Sequence, residues 1–241
     1  MLTALMPIGD DNEGRHVTPI ITYILIAINI AVFIFLQLPS DLFTYSFSVI
    51  PREIVQNRDM VGTLELARNA AIQLGPGPHP IQLTILTAMF MHGAWMHLLG
   101  NMLYLWIFGD NVEDALGHVK FLVFYVVCGI AATAAHILSG PNSTIPSLGA
   151  SGAIAGVLGG YLLMFPTRRV RVLIGWMGII ELPALIVVGF WIVTQLVSGI
   201  GSIAVTDASG GVAYWAHIGG AVAGLLLVNL FRKRNGASSR V

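Results

Sequence analysis

The sequence predicts an all-α membrane protein, a bundle of six transmembrane helices of which the fourth is short. Two observations carry this. First, of 241 residues 56% are hydrophobic and only 10% are charged, and the mean hydropathy is +0.80. Soluble domains carry about 25% charged residues, so the bilayer is the expected solvent. Second, six stretches approach the roughly 20 apolar residues that a membrane-crossing helix needs.

In chain order, residues 19–38 form the first span, with Pro19 suited to a first helical turn. No strongly basic segment precedes it and no small-residue cleavage site follows, so it reads as a retained helix rather than a signal peptide. Residues 95–111 and 118–138 form the second and third spans, 151–165 the short fourth, 183–199 the fifth and 212–231 the sixth. Residues 1–18 are then a short cytoplasmic segment, 19–231 one membrane domain, and 232–241 a basic, polar cytoplasmic tail. Six spans put both termini on one side, together with Arg168, Arg169, Arg171 and the cluster Arg232, Lys233, Arg234. The positive-inside rule makes that side cytoplasmic, which leaves the loop 39–94 outside.

Residues 170–180 are apolar but lead to Glu181, so they are expected at the interface. Glu181 fits the N-terminus of the fifth helix, where an acid complements the dipole. A functional intramembrane carboxylate is the rival reading. Twelve basic and twelve acidic residues cancel, and nothing points to nucleic acid. Cys128 is the one cysteine, which excludes a disulfide framework and a cysteine metal site; it reads as a small buried hydrophobe.

The polar residues converge. His92, His97 and Asn101 fall at the outer start of span two, Ser151 at the outer start of span four, and His217 near the outer end of span six. Polar groups at membrane depth are costly and usually face a bundle interior or a water-filled cavity. Span four covers about 22 Å of a hydrocarbon core about 30 Å thick. Ser151 would then lie roughly 8 Å below the outer surface, and residues 139–150 must dip in after it, covered by protein or water. Gly152, Gly156 and Gly160 on span four, and Ala216, Gly220 and Gly224 on span six, form small-residue rows that let helices approach closely. Close approach is what a Ser–His hydrogen bond requires.

The motifs resemble those of the rhomboid family of intramembrane proteases. Gly149-Ala150-Ser151-Gly152 is similar to its GxSG motif, and Ala216-His217-Ile218-Gly219-Gly220 to its AHxxG motif. His92-Gly93-Ala94-Trp95-Met96-His97-Leu98-Leu99-Gly100-Asn101 is similar to its second-helix pattern. The resemblance implies a Ser151–His217 dyad working without an acid, with His97 and Asn101 stabilising the oxyanion beside the backbone N–H of Ser151. Spans four and six do lack Asp and Glu, although Asp207 in the preceding loop is available as a third member. His97 and Asn101, four apart, share a helical face. His92 is either part of the site or a loop-ordering residue; His118 and His136 read as interfacial. Gly149, Gly152 and Gly220 are supporting positions.

Two departures from the family stand out. Ala155 occupies the place one turn after the nucleophile where many members carry an aromatic ring for the base to stack on, so His217 must be held otherwise, by Tyr214 or Trp215. Loop one has Pro51-Arg52 in place of a Trp-Arg pair.

The expected activity is hydrolysis of peptide bonds in or near transmembrane segments of other membrane proteins, with no cofactor or metal. Span five, with Phe190, Trp191 and Val193, is the expected gate by analogy. A zinc protease would need HExxH, and no His here precedes a Glu. An aspartyl protease would need two intramembrane Asp residues, a pair that spans two to six lack. The remaining rivals are a noncatalytic member that binds membrane clients and a transporter, for which repeats and broken helices would be expected. The expected location is a bacterial plasma membrane.

Overall fold

The computed structural model describes residues 6–67, 70–175, 178–204 and 213–232. Strand β1 (Met6–Asp10) precedes α1 (Ile20–Val32), which runs on through a π-helical turn, Phe33–Gln37. Loop one holds α2 (Asp41–Ser46), α3 (Pro51–Gln56) and the hairpin β2 (Gly62–Ala67)–β3 (Ala70–Leu74). A helical run, Ile81–Phe90, includes α4 (Thr84–Thr87) and meets α5 (Trp95–Leu116) at a 77° bend. There follow α6 (His118–Ser139), α7 (Ser151–Met164), β4 (Arg169–Ile174), β5 (Gly178–Pro183), α8 (Ala184–Ala204) and α9 (Tyr214–Phe231).

Among the described residues, four helices are long and apolar enough to cross a membrane: α1 with its π turn, α6, α8 and α9. The bent pair ending in α5 makes a fifth if counted as one span, and α7 is apolar but only 14 residues long. Large apolar side chains such as Phe35, Leu226 and Leu230 stand exposed on these helices, as a lipid-facing surface requires.

The protein is mostly helical but not all-α. Within the stretch 170–180, residues 170–174 and 178–180 lie in the antiparallel strands β4 and β5. Along β4, Arg169 and Arg171 point out while Val170 and Val172 are fully buried, the period-two alternation of a half-buried strand. β1, from the segment expected to be a plain cytoplasmic tail, completes an antiparallel sheet in the order β1-β4-β5. Glu181 sits in β5 opposite Arg171 and pairs with Arg169 at 3.3 Å, with both side chains exposed. It is therefore at neither a helix N-terminus nor a buried position; α8 begins three residues later, after Pro183.

This sheet is tied to the ends of α5 and α7 remote from Ser151. Tyr161 Oη donates to Asp10 Oδ2 at 2.6 Å, and Asn111 Nδ2 donates to the same oxygen at 2.8 Å. Arg168 bonds Asn111 Oδ1, and Arg15 pairs with Asp110. Burial pushes the Asp10 carboxyl up to about 7, against the lowering effect of its Tyr161 bond. Nearby, the buried Glu113 caps α1, whose N-terminal Pro19 offers no side-chain acceptor. It accepts from the N–H groups of Ile21 and Thr22 at 2.9 and 2.8 Å and from the Thr22 hydroxyl at 2.7 Å.

Helix α7 is gripped from two sides. A Cβ on Gly152 would come within 2.7 Å of the Ala132 Cβ on α6, and Cβ atoms on Gly156 and Gly160 would meet Cys128 and Phe124 of the same helix. Gly220 and Gly224 of α9 press instead on the backbone carbonyls of Gly152 and Gly156. The two small-residue rows thus do not simply face each other. The side of α7's row that lacks side chains faces α6, and α9's row rides on α7's carbonyls. Cys128 is buried in this contact as a small hydrophobe.

Candidate active site

Ser151 opens α7 and His217 lies in the first turn of α9, so the close α7–α9 packing brings the two side chains together. Ser151 Oγ is 2.7 Å from His217 Nε2. Gly149, two residues before the serine, has φ +140°, a region L side chains rarely adopt, and its N–H donates to Ala88 O at 2.9 Å. A Cβ there would also come within 3.0 Å of the His97 ring. Glycine is needed at this position for the backbone and for space.

His97 and Asn101 lie in the first two turns of α5, and the His97 ring comes up to Gly149. Gly93 N–H donates to His97 Nδ1 at 3.3 Å, which leaves the ring proton on Nε2, the nitrogen turned to Gly149. Asn101 is buried, and its Nδ2 has no partner among the described residues. His92 is buried, with both ring nitrogens unpartnered among the described residues, and meets the His97 ring edge-on at 5.1 Å between centroids. Gln37 pins its backbone by two bonds: His92 N–H donates to Gln37 Oε1 at 2.9 Å, and Gln37 Nε2 donates to His92 O at 3.0 Å. These bonds use the backbone of residue 92 and not its imidazole.

A cavity of about 30 Å³ opens beside Ser151, lined by His136, Thr133, Ser147 and Gly149 among others. It has room for about one water molecule. His136 is therefore at the site's edge and not merely interfacial. His118 is remote from the site and bonds Glu113 at 2.5 Å.

Loop one docks without a Trp-Arg pair. Val49 and Ser147 exchange backbone bonds at 2.9 and 2.8 Å, and Arg52 N–H donates to Ser143 O at 3.0 Å. These bonds tie the connection between α6 and α7 to loop one at Ser143 and Ser147.

His217 is held by α8, not by Tyr214 or Trp215, which pack toward Gly199. Its Nδ1 lies 2.7 Å from Gln195 Oε1, and the Trp191 ring lies beside it at 5.6 Å, tilted by 37°. Trp191 and Gln195 are four apart, so one face of α8 carries both. Phe190 and Val193 point the other way and are exposed, which separates Trp191 from the face expected to gate. The overlooked signal was a lone glutamine in an apolar span, since polar residues at that depth usually face the bundle interior. Asp207, the other candidate neighbour, lies outside the described residues, as do Lys233 and Arg234 of the basic tail.

The fold and this site define a class: a helical membrane bundle with a serine–histidine pair sunk in one end. A family model described as the Rhomboid domain matches residues 81–234, and the chain belongs to the rhomboid family. It is 30% identical over 166 residues to Rhomboid-like protein 11, chloroplastic, of Arabidopsis thaliana, covering 66% of this chain and 56% of that one. It is 27% identical over 215 residues to Rhomboid protein 1, mitochondrial, of Saccharomyces cerevisiae, covering 86% and 51%. Over 85 residues it is 39% identical to Rhomboid protease GluP of Bacillus subtilis, covering 35% and 16%. The chain spans about half the length of the first two relatives. It is an integral membrane protein, but relatives named for chloroplast and mitochondrion stand beside bacterial ones, so the expectation of a bacterial plasma membrane finds no support here.

Proposed function

We propose that the chain is an intramembrane serine endopeptidase that cleaves other membrane proteins in or near their transmembrane segments. The observation that carries this reading is the 2.7 Å contact between Ser151 Oγ and His217 Nε2. A serine hydroxyl is a poor nucleophile until a base within hydrogen-bond reach takes its proton, and imidazole suits that role near neutral pH. Ser151 Oγ attacks the scissile carbonyl, and its proton passes to His217 Nε2. The carbonyl oxygen becomes an oxyanion, for which Asn101 Nδ2 and His97 Nε2–H are donors, with the Ser151 N–H at the start of α7. An unpartnered buried amide is costly in the resting state; an oxyanion would satisfy it. His217 then hands the proton to the leaving amine, and a water from the adjacent cavity hydrolyses the acyl-enzyme.

In this reading α7 is the fourth of six spans. Its 14 residues rise about 21 Å, short of the ~30 Å core, so Ser151 lies below the membrane surface. β1 and the end of α9 face the side of the β1-β4-β5 sheet, which is cytoplasmic on the charge rule, and the substrate helix enters from the lipid.

The test is cleavage of a model transmembrane substrate by the protein in liposomes, beside Ser151→Ala and His217→Ala. Cleavage by the wild type and loss in both variants supports the reading. Client binding without cleavage by the wild type replaces it with a noncatalytic one.

A further inference from the structure

We infer that Gln195 is a positioning residue for His217, an uncharged substitute for the acid that the site lacks. The inference rests on the dyad reading above. His217 has both ring nitrogens engaged, Nε2 with Ser151 Oγ and Nδ1 with Gln195 Oε1, each at 2.7 Å. A neutral imidazole carries one proton, and which nitrogen holds it decides whether the ring can act as a base toward the serine. If Gln195 offers its oxygen, Nδ1 keeps the proton and Nε2 presents a lone pair to Ser151. If the amide were turned round, its NH2 would donate to Nδ1, the proton would move to Nε2, and the ring would face Ser151 with a donor.

The neighbouring bonds favour one direction for the amide. The Thr194 hydroxyl donates to Trp191 O at 2.7 Å, so its oxygen is free to accept, and Gln195 Nε2 donates to it at 3.4 Å. The oxygen of Gln195 is thereby left for His217. A directed chain results: Ser151 Oγ–H to His217 Nε2, Nδ1–H to Gln195 Oε1, Gln195 N–H to Thr194, and Thr194 to the backbone of α8. Gln195 is itself buried, and the Trp191 ring beside the imidazole limits its tilt. His97 of α5 and His136 of α6 are the titratable groups whose charge acts on His217, and the bonded partner of its Nδ1 is Gln195. An amide oxygen orients the ring without forming an ion pair with it. Orientation is therefore separable from charge.

Three variants make the test, with cleavage kinetics in liposomes read across pH and thermal midpoints as a folding control. Gln195→Leu, near in size, should lower kcat about ten- to a hundredfold with KM nearly unchanged, because substrate binding does not use this contact. Gln195→Asn, one methylene shorter, should fall likewise. Gln195→Glu keeps the acceptor and adds a charge that favours imidazolium, so the acid limb of kcat/KM should move to higher pH, by about 1–3 units. A glutamine whose side chain does not meet Nδ1 would not produce that shift, and the fall in kcat at unchanged KM in Gln195→Leu is what a merely structural glutamine would not give. Wild-type kcat in Gln195→Leu, or an unmoved acid limb in Gln195→Glu, overturns the inference while inactive Ser151→Ala and His217→Ala leave the dyad standing. Should the wild type itself cleave nothing, both readings fall together.

Discussion

Replacing Gly220 by alanine tests whether the site depends on the close approach of α9 to α7. Gly220 is three residues after His217, and its α-carbon faces the carbonyl of Gly152, the residue after Ser151. A methyl there overlaps that carbonyl. α7 cannot retreat, because Gly152 is itself tight against Ala132 of α6, where an added Cβ would sit at 2.7 Å. The strain falls on α9, which has to move away by on the order of 1 Å to restore ordinary contact. The Ser151–His217 distance would grow from 2.7 Å to about 3.7 Å, beyond a hydrogen bond. A misplacement of that size costs about a hundredfold in rate, and overpacking costs about 1–3 kcal/mol of stability. Initial cleavage rates in liposomes and thermal midpoints in detergent measure the two effects. Gly189→Ala on α8 is the control, because nothing lies within 4 Å of its added Cβ; its rate should stay near wild type. A Gly220→Ala rate within twofold of wild type would refute the packing argument.

Two predictions concern the end of the bundle remote from Ser151. Burial lifts Asp10 from 3.8 to about 7, so the folded protein keeps this proton in a window where the unfolded chain has lost it. Stability should therefore fall as pH rises from about 4 to about 7 and level off above, by up to about 4 kcal/mol. Glu53 in loop one, also raised by burial to about 7, adds to the same trend, so the informative quantity is the difference between wild type and Asp10→Asn. The variant should show a flatter profile of thermal midpoint against pH; an identical profile would clear Asp10 of the effect. Glu113→Ala strips three bonds from the start of α1 and should cost about 2–4 kcal/mol. A midpoint within 1 °C of wild type would mean that the cap is not holding α1.

Where the sequence carried a long or a strongly patterned signal, the structure was legible in it. The apolar stretches 118–138 and 151–165 differ by only one residue from α6 and α7. Of the residues expected to converge, Ser151 and His217 meet and the His97 ring comes up to Gly149, two residues before the serine, while Asn101 is buried on the same helix as His97. The β1-β4-β5 sheet was missed because its strands are short and its alternation ran inside a stretch read only for total hydropathy. The bonds from Asp10 to Tyr161 and Asn111 span 151 and 101 residues, a pairing no local pattern reveals. The support of His217 was sought within its own helix, at Tyr214 and Trp215. It came from α8, across a helix–helix contact whose rotation is set by packing and is not written in the spacing of either helix.

The central claim is that His217 activates Ser151. Intact-mass and peptide mapping after treatment with a fluorophosphonate serine probe test it most directly. A single adduct, on Ser151, is expected in the wild type and essentially none in His217→Ala. An unlabelled wild type, or equal labelling of Ser151 with and without His217, would contradict it.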